Sequence, residues 1–198
     1  PDGLCELMGG KYEVLAEPEK EAVVVAQVRG KDKTYYMCER ELAVPIGSAY
    51  DTYMKESVFS GLDTEARITA MLKCIIVPEE SEADVADVLT EWTPEQMQDM
   101  DLLNKEQLVR ERCREASREF HISQSGFETL IETDREKYAF FSIPYDEGFR
   151  AWVNGKKVDI LKTNGLMAVR LEAGENRIRF AYRDIPLLIG TLCTCFSF

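Results

Sequence analysis

The sequence predicts an α+β fold, with an antiparallel β-sandwich or jelly-roll-like C-terminal part after an N-terminal α/β part that contains two helices. From Phe120 to Tyr182 the apolar residues recur at every second position. The turn-forming pairs Asn154-Gly155, Asn164-Gly165 and Ala173-Gly174 separate these runs, and Asn-Gly favours tight hairpins. Short half-buried strands, turning back about every ten residues, are typical of an antiparallel sandwich.

The N-terminal part combines strand and helix signals. Asp63 is a good N-cap residue, which predicts a short helix over residues 64–73 and a brief strand over 74–77. Thr93 can cap a second helix, with proline in its first turn, and we expect that helix to run to about Ser117. Alternating apolar runs and turn signals predict further strands over residues 12–15, 22–28, 34–38 and 42–46, with a hairpin at 29–33.

These elements divide the chain into four parts: residues 1–92, the connecting helix 93–118, the sandwich 119–184 and an apolar tail 185–198. The tail is uncharged and too short to span a bilayer, and we interpret it as the first turns of a transmembrane helix. A terminal strand or a helix docked on the core is the alternative. The sequence starts at Pro1 without a methionine or a signal-peptide pattern, so we expect it to be a piece of a longer chain.

Composition bounds the function. The chain has 198 residues, enough for a sizeable core without metals or disulfides. Its 24 basic and 36 acidic residues give a net charge of −12. Such a charge repels nucleic acid and anionic lipid headgroups, so we expect no nucleic-acid partner.

Metal and catalytic signals are weak. His121 is the single histidine and no C-x-x-C occurs, so sequence neighbours cannot assemble a usual zinc site. No nucleophile motif, phosphate loop or dinucleotide fingerprint is present, and we assign no catalytic residue, metal or cofactor. We expect the cysteines to carry free thiols, and disulfide formation is left open as the alternative. The cysteines are Cys5, Cys38, Cys74, Cys113, Cys193 and Cys195.

One stretch, residues 142–156, could contact a glycan. Its aromatic rings could stack on a sugar while polar side chains bond the hydroxyl groups, yet at period two one face must be core. The favoured interpretation is therefore a strand, a corner and a hairpin, with ligand contact as the alternative. The candidate contact residues are Tyr145, Asp146, Arg150, Trp152 and Asn154. An anionic polymer would be held by the basic residues Lys156, Lys157, Arg177 and Arg179.

Several segments resemble a known family. They look like the C-terminal extracytoplasmic region of YfhO-type bacterial membrane proteins, and they are residues 140–149, 153–158, 164–167, 171–176 and 180–182. Residues 7–12 and 42–53 resemble further segments in the same order, and residues 186–190 resemble the junction with the membrane. Phe149, Asn154 and Leu187 depart from the family's usual tryptophan, aspartate and glycine.

The resemblance implies a polytopic membrane protein related to C-superfamily glycosyltransferases, which transfer sugars from polyprenyl phosphate to cell-envelope polymers. The superfamily's catalytic acids lie in a loop that has no counterpart here. We therefore expect a non-catalytic domain on the extracytoplasmic face that steadies the membrane-embedded remainder or positions a teichoic-acid-like acceptor; whether the parent is an enzyme stays open. The alternative is a secreted or surface carbohydrate-binding module.

Overall fold

The structure is a computed structural model that describes residues 3–18, 22–97 and 104–183. It is β-rich, and it confirms the predicted α+β class with antiparallel sheets. The strands in the described ranges are β1 Tyr12–Leu15, β2 Val23–Arg29, β3 Thr34–Glu39, β4 Ser48–Tyr50, β5 Thr52–Lys55, β6 Ile75–Val77, β7 Thr90–Glu91, β8 Arg118–Ser123, β9 Gly126–Thr133, β10 Lys137–Pro144, β11 Phe149–Val153, β12 Lys156–Val158, β13 Leu161–Thr163, β14 Leu166–Leu171 and β15 Gly174–Tyr182.

The helices are short. The predicted helix over residues 64–73 is confirmed, and the Asp63 side chain accepts the backbone N–H of Ala66 at 2.9 Å as its cap. A short 3₁₀ turn spans Glu79–Ser81. The α-helices in the described ranges are α1 Leu4–Leu7, α2 Glu56–Ser60, α3 Thr64–Lys73, α4 Glu82–Val85, α5 Pro94–Met97 and α6 Lys105–Arg114.

Two sheets form the sandwich. One, here called the outer sheet, has the order β12-β11-β15-β9-β8. The other, here called the shared sheet because it contributes to two cores, has the order β13-β14-β10-β4. Both are antiparallel throughout. Between them, Phe127 and Phe180 stack at 4.7 Å between ring centroids, and Phe141 meets both rings at 5.5 and 5.0 Å. The predicted period of two is thus the alternation between this core and solvent.

The shared sheet is buried on both faces. On β10, Ala139 and Phe141 face the outer sheet, whereas Tyr138 and Phe140 face the N-terminal part. There a small parallel sheet, in the order β6-β5-β7, packs with helices against them. Thr163 of the shared sheet accepts the buried backbone N–H of Ile76 at 3.0 Å. Strand β10 therefore lies in the middle layer of the molecule. Strand β4 from the N-terminal part pairs directly with it.

A separate N-terminal sheet has the antiparallel order β1-β3-β2. Cys38 on its inner face is 1% exposed. Arg40, just after β3, binds Glu6 at 3.0 Å and Glu13 at 2.8 Å. These contacts tie the sheet to α1, whose Leu7 lies in the core.

Some predicted elements differ. Residues 42–46 form an irregular segment and not a strand, although Val44 is buried. The predicted single helix over 93–117 is two helices, because Asn104 has an extended backbone and its side chain caps a new helix. That helix ends at Arg114, and Ser117 then bonds back to Gly47 and Ile46.

Cys38, Cys74 and Cys113 carry free thiols, and burial raises the pKa of Cys74 to about 12. The predicted apolar tail 185–198, with Cys193 and Cys195, lies outside the described residues. No helix within the described ranges has the length and apolar character needed to cross a bilayer.

The aromatic core between the two sheets should dominate stability. Replacing Phe141, which is 0% exposed, in Phe141→Ala removes contacts with both neighbouring rings and leaves a cavity. We expect the free energy of unfolding to fall by about 3–5 kcal/mol. The control Ile122→Ala, at a side chain 81% exposed, should change it by less than about 0.5 kcal/mol. Urea unfolding followed by circular dichroism measures both, and equal losses would contradict this account of the core.

Tyr50 should give the protein a pH-dependent stability. Its hydroxyl donates to the Met71 carbonyl at 2.9 Å, and the Arg112 guanidinium lies 4.2 Å from the ring centroid. Burial raises the pKa of Tyr50 from 10.0 to about 12. The unfolded chain loses this proton first, so the contribution is present below pH 10 and is lost as pH rises toward 12.

The variant Tyr50→Phe isolates that contribution. The pKa shift of about two units, at about 1.4 kcal/mol per unit, predicts that the native protein loses about 3 kcal/mol of unfolding free energy at alkaline pH. The variant should not show this loss. Near neutrality the variant should be about 1 kcal/mol less stable, because it loses the hydrogen bond. Urea unfolding at pH 7, 10 and 12 measures the difference, with Tyr12→Phe at an exposed position as control. Parallel pH profiles for Tyr50→Phe and the native protein would refute the prediction.

Candidate functional site

The candidate site lies on the solvent side of the outer sheet. Along β11, Ala151 and Val153 are buried, so Arg150 and Trp152 point outward as the alternation predicts. The turn at Asn154-Gly155 has φ of 52° and 79°, the left-handed conformation of a tight hairpin. This turn pairs Trp152 with Lys157 across β11 and β12.

Cationic side chains surround the indole. Trp152 is paired with Arg179 on β15, and the Arg179 guanidinium carbon lies 5.0 Å from the indole centroid. Arg177 lies two residues before Arg179 and therefore shares its side of the sheet. We call this surface the Trp152 face and define it by Arg150, Trp152, Lys157, Arg177 and Arg179.

The charges of the Trp152 face are mostly not neutralised. Within the described residues, Lys157 and Arg177 make no ion pair, and Arg179 has only the distant carboxylate of Glu128 at 3.7 Å. Arg150 donates to two nearby backbone carbonyls, those of Glu147 and Phe149. The face is thus locally positive on a chain of net charge −12, an arrangement that attracts anions.

Two of the predicted contact residues are engaged in turns. The Asp146 carboxylate accepts the backbone N–H of Gly148 at 2.7 Å, which closes the corner before β11. The Asn154 side-chain oxygen accepts the backbone N–H of Arg177 at 2.9 Å. It also lies beside Asn176, which is 0% exposed and bonds the backbone of Glu172 and Gly174. These polar groups stabilise the loops that position the Trp152 face.

The other predicted residues border a groove. Tyr145 and Arg150 line an open groove of about 390 Å³ between the corner and β12, together with Lys157. The Tyr145 ring packs against the sandwich core, and the Lys162 ammonium lies 5.7 Å from its centroid. Of the predicted set, Arg150 and Trp152 therefore lie on one face, while Tyr145 reaches that face only through the groove.

The sequence identifies Lys157 and Arg179 as basic residues but does not place them beside Trp152. The signal that could have joined Lys157 to Trp152 was the two-residue Asn154-Gly155 turn, which fixes their cross-strand pairing. Arg179 lies far along the chain, so the β11–β15 pairing cannot be read from local sequence.

A larger cleft of about 680 Å³ opens elsewhere, between α4 and the shared sheet. Its arginine is neutralised, since Arg170 binds Asp87 at 2.9 Å and Glu136 at 2.6 Å. Tyr138 donates to the Asp84 carbonyl at 2.9 Å, and burial raises the pKa of its hydroxyl. In the part of the chain that is described, no three histidine, cysteine or acidic side chains gather into a metal-binding group.

Comparison with known proteins finds a family match for the C-terminal half of the chain. Residues 102–194 match a family described as bacterial membrane protein YfhO. The resemblance inferred from the sequence is confirmed over that range, which includes the whole Trp152 face. The segments upstream of residue 102 lie outside the match, and their likeness to the family stays a prediction. No curated protein and no solved structure shows significant similarity to the chain.

Asp146 should stabilise its turn through the oxygen that accepts the Gly148 N–H and not through its negative charge. Asp146→Asn keeps an oxygen that can accept the Gly148 N–H, whereas Asp146→Ala removes it. We expect the alanine variant to lose about 1 kcal/mol of unfolding free energy and the asparagine variant less than about 0.5 kcal/mol. Urea unfolding of both variants provides the measurement. Equal destabilisation by the two would assign a role to the carboxylate charge.

Proposed function

We propose that this chain is a non-catalytic extracytoplasmic domain of a bacterial membrane protein, and that its Trp152 face holds an anionic cell-envelope polymer. The match of residues 102–194 to a bacterial membrane protein family supports the membrane association. The single observation that carries the polymer assignment is the pairing of Trp152 with Arg179 and Lys157 on an exposed face of locally positive charge.

The geometry suits a phosphodiester polymer such as a teichoic acid. Neighbouring strands are about 4.8 Å apart, so Lys157, Trp152 and Arg179 form a row across three strands, with Arg150 and Arg177 near it. Arginine forms bidentate hydrogen bonds with phosphate, and a tryptophan ring packs on the apolar face of a sugar or polyol. A row of this kind would bind successive phosphates while the indole contacts the unit between them.

The proposed part in catalysis is indirect. The resemblance relates the family to glycosyltransferases that use polyprenyl-phosphate sugars, and we propose that the domain presents the polymer to the membrane-embedded remainder of such a protein. General acid–base catalysis needs a carboxylate or similar group directed at the reacting atoms. The Glu128 carboxylate beside the Trp152 face is directed at Arg179. This supports a binding and positioning role over a catalytic one.

A carbohydrate-binding module is the second candidate. The observation in its favour is that the Tyr145 groove and Trp152 lie near one another, joined by Arg150 and Lys157. Such a module would bind neutral glycans, with affinity that depends on the rings and little on the charges. The two candidates therefore differ in their response to salt and to loss of a cation.

Binding of polyglycerol phosphate by the 198-residue chain tests the proposal. The change in tryptophan emission reports binding at Trp152, because the other tryptophan, Trp92, is 8% exposed and contributes a constant background. We expect Arg179→Gln and Lys157→Gln each to weaken binding about three- to fivefold, as the loss of an exposed charge contact predicts. Affinity should fall as salt rises, because salt screens exposed charges.

The matched control is Arg118→Gln, on the same sheet at β8, where the guanidinium pairs with Glu132 at 2.9 Å. This variant should bind as the native protein does. Equal losses for Arg118→Gln and Arg179→Gln would mean that only net charge matters. Salt-independent binding of a neutral glycan, abolished by Trp152→Ala in a folded variant, would favour the carbohydrate-binding module instead.

A further inference from the structure

The N-terminal sheet exposes an apolar face. Its register places Val28 opposite Tyr35, and Met37 opposite both Ala26 and Val14, so these side chains share one side. The inner side carries Cys38, which is buried. This exposed side is here called the valine face. Its apolar side chains are Tyr12, Val14, Val23, Ala26, Val28, Tyr35 and Met37, and Glu39 lies at its far end opposite Tyr12 and Val23.

The exposure of the valine face is unusual for a folded domain. Val28 is 68% exposed, Val14 66% and Val23 60%. Scattered apolar residues on a surface are normal, but a contiguous apolar patch marks a surface that contacts another molecule or a membrane. All seven residues of β2 are exposed, so the strand projects from the body of the molecule.

The turn beside this face is cationic. Arg29, Lys31 and Lys33 lie at the β2–β3 turn with only Asp32 among them, and within the described residues none of the three makes an ion pair. The Lys33 ammonium lies 5.2 Å from the centroid of Tyr35. At the other end of the face, the Lys11 ammonium lies 5.4 Å from the centroid of Tyr12.

We propose that the valine face and its cationic turn form a peripheral contact with an anionic phospholipid bilayer. Tyrosine is enriched at the membrane–water interface, and lysine extends its ammonium to the headgroups while its stem packs on apolar surface. Valine and methionine would enter the boundary between headgroups and acyl chains. The turn supplies local positive charge although the chain as a whole is acidic, and each basic residue near an anionic surface adds attraction.

Charge pairing favours a bilayer over a second copy of the chain. The acid at the far end of the valine face is already neutralised, since Glu39 binds Lys11 at 3.1 Å. A second copy docked on this face would offer the turn little free negative charge, whereas lipid phosphates would supply it. This contact uses a different surface from the Trp152 face and does not depend on polymer binding.

Co-sedimentation of the 198-residue chain with vesicles tests the contact. We expect binding to vesicles of phosphatidylcholine mixed with phosphatidylglycerol and much weaker binding to phosphatidylcholine alone. Lys31→Gln and Lys33→Gln should each weaken binding about fivefold, and the effect should shrink at high salt. The combined change Val14→Ser and Val28→Ser should weaken binding at least about tenfold, because both side chains would enter the interface.

The control is Ile122→Ser, at an apolar side chain that is 81% exposed on β8 and away from the N-terminal sheet. It should bind vesicles as the native chain does, and circular dichroism should show all variants folded. Absence of binding to anionic vesicles would overturn the proposal. Equal losses of vesicle binding for Ile122→Ser and the valine variant would also overturn it. A dimer that sedimentation detects in the native chain but not in the valine variant, with no binding to vesicles, would assign the face to a second copy instead.

Discussion

The rest of the structure depends on the burial of the shared sheet on both faces. Strand β10 alternates between two cores, with Phe141 toward the outer sheet and Phe140 toward the N-terminal part. A strand buried on both faces has no solvent side, so its register is fixed from two directions. This rigid middle layer supports the outer sheet, and the outer sheet in turn positions Trp152 at 5.0 Å from the Arg179 guanidinium.

Charged and polar groups complete the layers at their edges. Lys137 at the start of β10 is 3% exposed and binds Glu115 at 2.6 Å and Asp134 at 2.8 Å. Burial alone would lower the pKa of Lys137, but the hydrogen bonds that its ammonium donates to the two carboxylates raise the pKa above its usual value. Arg112 is buried beside Tyr50 and donates to the Ala49 carbonyl of β4. These contacts hold α6 against β4 and β10 of the shared sheet.

Local patterns in the sequence predicted local structure well. Asp63 predicted the start of α3, and Asn154-Gly155 predicted a hairpin whose pairing follows from the turn. Long-range pairing was not predictable, because the antiparallel β4–β10 pairing joins residues near 49 to residues near 139 with no local turn to indicate it. The helix after Thr93 was predicted too long, since no Gly or Pro interrupts residues 95–117, whereas the Asn104 side chain caps a new helix there. For the site, residue types indicated Trp152, but only the strand order brings Arg179 beside it.

The two exposed surfaces have different chemistry, one cationic and aromatic, the other apolar with a cationic turn. The central claim is that the cationic, aromatic Trp152 face holds the polymer. Amide chemical-shift mapping of the chain with polyglycerol phosphate tests it most directly. The account predicts that the largest shifts fall on β11, β12 and β15, with the Trp152 indole N–H among them and the Trp92 indole N–H unchanged. Shifts concentrated at the Arg170 cleft, or spread evenly over all basic residues, would contradict it.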